Sequence, residues 1–111
     1  MAKTFAHGDA KMKKKIPKSF TLGGLDFTVK TGKVVSEGNL GHTNFLKNEL
    51  VVKEFYNDVP INKQQQEQCF YHELVHAILM TMNESELNEN EKFVDLFGQF
   101  LYQYNKTVKW L

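Results

Sequence analysis

The stretch INKQQQEQCFYHELVHAILMTM, residues 61–82, contains no glycine or proline and carries His72, Glu73 and His76 in the order H-E-x-x-H. Asn62 is a fitting N-cap and the glutamines after it are good helix formers. Phe70, Leu74, Ala77, Ile78 and Thr81 recur at three-and-four spacing, so one long helix is predicted with that face turned to a core. Side chains four apart on a helix stand one above the other. His72 and His76 can therefore offer two imidazole nitrogens to one metal ion, while Glu73 reaches a water bound to that ion. The opposing reading is a helix that happens to hold two surface or core histidines, because so short a motif also recurs by chance.

Downstream, MNESELNEN (residues 82–90) is polar and turn-like. Phe93, Phe97, Phe100, Leu101, Tyr104, Val108 and Leu111 then recur at helical spacing, which predicts a second amphipathic helix with that stripe as its core face. Within NEKFVDLFG (residues 90–98), Glu91 and Asp95 are four apart and share a face roughly opposite the stripe. Gly98 lies one turn further on, where a missing side chain lets this helix approach the first. A carboxylate ligand beside a carboxylate that orients a ligand histidine is a common zinc arrangement. In the alternative, Glu91 and Asp95 are first-turn acids complementing the helix dipole, with Asn88 as the cap. The upstream H-E-x-x-H favours the ligand reading.

Upstream, residues 1–18 lack apolar periodicity and read as a flexible basic arm, leaving residues 19–111 as a single domain. FTLGGLDFTVKT predicts a hairpin turning at Gly23-Gly24, with Leu25, Phe27 and Val29 alternating with polar residues. Thr31-Gly32 is a turn signal, KVVSEG (residues 33–38) a short strand, and NLGHTN a Gly/Asn-rich loop. Leu50 to Phe55 make a further strand, closed by Asn57, Asp58 and Pro60. The expected class is α+β, a small, mostly antiparallel sheet of about three strands packed on two principal helices.

A chain of 111 residues with 41% hydrophobic residues and nine phenylalanines suits one globular domain. Net charge is +1 and every basic residue is lysine, so the bidentate arginine contacts that read guanine are missing. A nucleic-acid partner is not expected, although the lysine-rich arm leaves a DNA-binding regulator as a third reading. No apolar run reaches the roughly 20 residues that span a bilayer, and nothing resembles a signal peptide. Cys69 is the sole cysteine, so no internal disulfide forms and a cytoplasmic location is expected. Cys69 itself reads as a buried helix residue rather than a ligand, and Met80 and Met82 as packing residues. Trp110 and Leu111 are expected to pack on the body or on a neighbour. His7 in the arm and His42 in a glycine-rich loop are poor third ligands.

HELVH followed by NEKFVDLFG resembles the gluzincin clan of metallopeptidases, the thermolysin-like group, whose glutamate helix carries Asn-Glu-x-x-x-Asp. The short chain is similar to the minigluzincins and to small H-E-x-x-H proteins of phages and prophages. IPKSFTLGG, ELVVKEF and FGQFLYQ extend the likeness over most of residues 16–105. The metzincin pattern is excluded, because Met82 stands where it places a third histidine. The resemblance implies a minimal zincin-like domain with one zinc on His72, His76 and Glu91, Glu73 as general base and Asp95 behind a ligand histidine. It also implies hydrolysis of a peptide or protein substrate in a host cytoplasm. The strand at Leu50 to Phe55 would be the sheet edge that pairs antiparallel with substrate; a bare edge guarded by Lys53 and Glu54 is the alternative. Two departures stand out: a shorter spacing between the motifs, and no counterpart to the carboxyl-terminal subdomain. Tyr71, Tyr102 and Tyr104 are then the candidates for stabilising an oxyanion. The rival function is a non-catalytic binding or regulatory protein in which zinc staples the two helices.

Overall fold

Alternation of Leu25, Phe27 and Val29 with polar neighbours builds the first hairpin, β1 (Ser19–Leu22) against β2 (Leu25–Gly32). Gly23 and Gly24 turn it with φ of 55° and 83°, the double positive φ that matches the twist of two-residue hairpins. The computed structural model describes residues 16–32 and 41–111. The predicted strand at residues 33–38 lies outside them, as does the arm up to residue 15. Ile16 already packs against the core.

β2 continues through Thr31 and Gly32, because both pair with β4 (Glu49–Lys53), so no turn forms there. β4 runs parallel to β2 and antiparallel to β3 (Gly41–Asn44), giving the sheet order β1-β2-β4-β3. Two of the three pairings are antiparallel, and the fold is α+β. The sheet thus has four strands rather than about three. The additional strand, GHTN, was expected to be loop on account of its glycine and asparagine. The expected edge strand is corrected as well. β4 is bonded on both sides and Leu50, Val51, Val52 and Lys53 are all buried, so among the described residues the outer strands are β1 and β3. A separate small hairpin follows, β5 (Phe55–Tyr56) with β6 (Val59–Pro60), turned by Asn57 and Asp58 at positive φ.

The long helix is α1 (Lys63–Thr81), capped by Asn62 Oδ1, which accepts from Gln65 N at 2.8 Å. It is buried on two sides. Phe70 and Ala77 pack with Phe27, Leu50 and Val52 of the sheet, whereas Val75 and Leu79 pack with Val94 of the last helix. A helix between two layers has no clean apolar stripe, which is why Val75 and Leu79 escaped the three-and-four pattern. MNESELNEN is not only turn: α2 (Ser85–Glu89) is a short helix within it. α3 (Glu91–Thr107) follows, capped by Asn90 rather than Asn88, with Asn90 Oδ1 accepting from Phe93 N at 3.0 Å.

On α3 the expected core stripe is rotated: of its members Phe93 and Leu101 pack at the margin of the cluster on α1, and the fully buried face is a different one. Val94, Gly98 and Tyr102 are buried against α1, while Phe100 and Tyr104 are 62% and 54% exposed. Residues 94, 98 and 102 share a face with Glu91 and Asp95, and the aromatics lie about 200° around the helix from it. The acids therefore ride on the packed face. Trp110, Leu111 and Met82 are also exposed rather than packed. Among the described residues no helix is long and apolar enough to cross a membrane.

Candidate metal centre

Gly98 determines how near α3 comes to α1. A Cβ at this position would stand 3.1 Å from His72 Cα and 3.2 Å from His72 N, closer than ordinary van der Waals contact. With that proximity, the first turn of α3 lies over the histidine face of α1. Glu91 reaches both histidines: His72 Nε2 is 3.2 Å from its Oε1 and His76 Nε2 is 3.4 Å from its Oε2. The three ligand atoms all lie within 4.8 Å of one another. Two ligands each about 2.0–2.1 Å from a tetrahedral zinc stand about 3.3 Å apart, so these separations suit a single ion.

Each imidazole is held from behind through its other nitrogen. Asp95 Oδ1 is 3.5 Å from His72 Nδ1, and Gln99 Nε2 donates to Asp95 Oδ2 at 3.0 Å. Asn88 Oδ1 is 2.7 Å from His76 Nδ1. An acceptor at Nδ1 keeps the proton there and leaves the Nε2 lone pair free, which is the tautomer a ligand needs. Sequence reasoning had placed Asp95 in this role and missed Asn88, treating it only as a possible helix cap. The only signal was the doubled Asn-Glu at residues 88–91, of which the pattern Asn-Glu-x-x-x-Asp selects the second.

Glu73 is buried, although it is charged and next to a ligand. Its carboxylate accepts from Thr43 Oγ1 at 2.7 Å, and the same hydroxyl is 3.1 Å from the Glu73 main-chain carbonyl. A buried carboxylate is tolerable when it is hydrogen-bonded. Thr43 was not foreseen, since its segment was expected to be loop. Gly41 lets β3 lie this close: a Cβ there would stand 2.4 Å from Val51 O and 2.6 Å from Cys69 Sγ.

Two depressions flank the triad and share Gly41, His72 and Glu73, forming one trough between β3 and the histidine face. The first, about 400 Å³, is walled by His42, Phe45, Met80 and Asn88. The second, about 300 Å³, is walled by Gln65, Gln68, Cys69 and Asp95. His42 is thus brought to the site on β3, although it is not one of the grouped ligands. Met80 serves as wall rather than packing. None of Tyr71, Tyr102 and Tyr104 lines the trough: Tyr71 and Tyr102 pack on each other with ring centroids 5.9 Å apart, and Tyr104 faces away. Burial, with a smaller contribution from the Glu73 charge, pushes the Cys69 thiol up to about 12. It stays protonated at neutral pH and is a poor ligand, as the sequence implied.

The triad can bind one divalent ion with two nitrogens and a carboxylate, and Glu73 lines the same depression as all three. No family model matches the chain, and no curated protein or solved structure matches it significantly.

Proposed function

We propose that the protein is a zinc-dependent peptidase that cleaves peptide bonds in the trough under β3. The convergence of His72 Nε2, His76 Nε2 and the Glu91 carboxylate beside the buried Glu73 carries this reading. Two histidines and one carboxylate with an open fourth position form a donor set used by hydrolytic zinc sites. When bound, the ion would supply Lewis acidity and lower the pKa of a water molecule. Glu73 takes the proton of the attacking water and passes it to the leaving amine. Thr43 keeps the carboxylate in one rotamer through its hydroxyl, and Asp95 and Asn88 keep the imidazoles turned Nε2-first. β3 supplies main-chain groups at the sheet edge to which an extended chain can add.

The test is Glu73→Gln. Zinc content by mass spectrometry is expected to stay near one ion per chain while hydrolysis of a peptide mixture is lost. Cleavage at the wild-type rate by the variant would overturn the mechanism. A wild-type protein that holds zinc and cuts nothing would favour the rival in which the ion merely staples α1 to α3.

A further inference from the structure

The trough has unlike ends, and the direction of β3 states which end receives which part of a peptide. Gly41 lies against Cys69, Thr43 against Glu73, and Phe45 lines the half that holds His76 and Met80. β3 and α1 therefore run the same way along the trough. Among the described residues β3 is an outer strand of the sheet, and antiparallel addition is the better-bonded mode for a strand joining it. A peptide added antiparallel enters with its amino-terminal part over Phe45 and Met80. It leaves with its carboxyl-terminal part over Gly41, Cys69 and Gln68. Gly41 to Asn44 is about 10 Å of strand, with Phe45 the next residue, so β3 and its end span about two substrate residues on each side of Thr43.

The chemistry of the two ends differs. Phe45 and Met80 present an aromatic ring and an adaptable thioether to the first. In the second, the carboxylates of Glu73 and Asp95 are taken up by Thr43 and by Gln99 and His72. Gln65 Oε1 already accepts from Asn62 Nδ2 at 3.3 Å, so the side-chain amide offered to a ligand is chiefly that of Gln68, uncharged and able to donate and accept. Side chains two apart on an extended peptide share one face, and Phe45 lies two residues past Thr43. We infer that the site selects an extended peptide with a large apolar side chain on the second residue before the central bond and an uncharged polar one just after that bond. This rests on the peptidase reading for the bond that is cut, but not for the binding.

The experiment uses zinc-loaded Glu73→Gln and two blocked hexapeptides of equal composition. One has phenylalanine as its second residue and asparagine as its fourth, with glycine elsewhere, and the other has the two exchanged. The first is expected to bind about tenfold more tightly by NMR titration, the scale on which one well-placed side chain discriminates. Gln68→Leu, added at an exposed helix position, is expected to shift preference at the fourth residue from asparagine to leucine and leave the second unchanged. Equal binding, tighter binding of the exchanged peptide, or no binding of either overturns the inference. Hydrolysis of the first peptide by the wild-type protein is read separately. Ordered binding without hydrolysis would sink the peptidase reading and leave the polarity of the trough standing.

Discussion

Two asparagines two residues apart carry different tasks, and their side-chain partners separate them. Asn90 caps α3 through Phe93 N, whereas Asn88 faces His76 Nδ1 from the short helix α2. Replacing Asn90 by Ala is expected to lower stability by about 1 kcal/mol, the usual cost of a lost cap, with a smaller effect on zinc affinity. Asn88→Ala is expected to do the opposite. Loss of the acceptor behind a ligand histidine typically weakens metal affinity 10–100-fold, and the metal-free protein should unfold at a nearly unchanged urea midpoint. Competition with a chromogenic chelator, beside urea unfolding of the metal-free forms, separates the two. If Asn90→Ala lost the metal and Asn88→Ala did not, His76 would be held by the residue that the Asn-Glu-x-x-x-Asp pattern names.

At the scale of elements, α3 depends on Gly98. Ala would ordinarily stabilise a helix interior by about 1 kcal/mol relative to Gly. Here its Cβ meets main-chain atoms of His72 that cannot swing aside, and overpacking of this kind costs about 1–3 kcal/mol. Gly98→Ala is therefore expected to give no net stabilisation and to weaken zinc binding, because the shift that relieves the clash carries Glu91 and Asp95 away from the histidines. Gln103→Ala, at an exposed position of the same helix, is the control expected to leave zinc affinity alone. Equal affinity in Gly98→Ala would show that the close approach of α1 and α3 is not what places Glu91. The close approach was legible in the sequence, as were the grouping of His72, His76 and Glu91, the place of Asp95 beside His72 and the extent of α1, because each follows from helical spacing or from a cap. The rotation of α3 was not. Phe93, Phe97 and Phe100 outweigh Val94, Gly98 and Tyr102 in hydrophobicity, yet the latter share the face of Glu91 and Asp95 that packs on α1. The edge strand was misread for a related reason. Gly41 and Asn44 weaken the strand signal of GHTN, although the space at Gly41 is what seats β3 against Cys69. Main-chain approach and third-dimension neighbours such as Thr43 leave no periodic trace.

For the molecule as a whole, the triad sits where α1 meets α3. Val75, Leu79 and Val94 make the buried cluster between α1 and α3, with Phe93 and Leu101 at its margin, whereas the sheet side has the larger cluster around Phe27, Leu50, Val52, Phe70 and Ala77. Glu91 comes from α3 and both histidines from α1, so an ion held among them bridges these two helices. Binding to the folded form alone stabilises it by about 2.7 kcal/mol when free ligand is at 100 times its Kd. In a domain of this size about 1 kcal/mol moves Tm by roughly 4 °C, so removing zinc should lower Tm by about 10 °C. Calorimetry with and without chelator measures the shift, and hydrogen exchange locates it. Protection should fall chiefly in α3 and at the end of α1, while β2 and β4 keep theirs. Glu91→Ala should behave as the metal-free protein does and gain little from added zinc. A shift of the same size in that variant would mean that the ion binds elsewhere, and the triad of His72, His76 and Glu91 would lose its claim to be the centre.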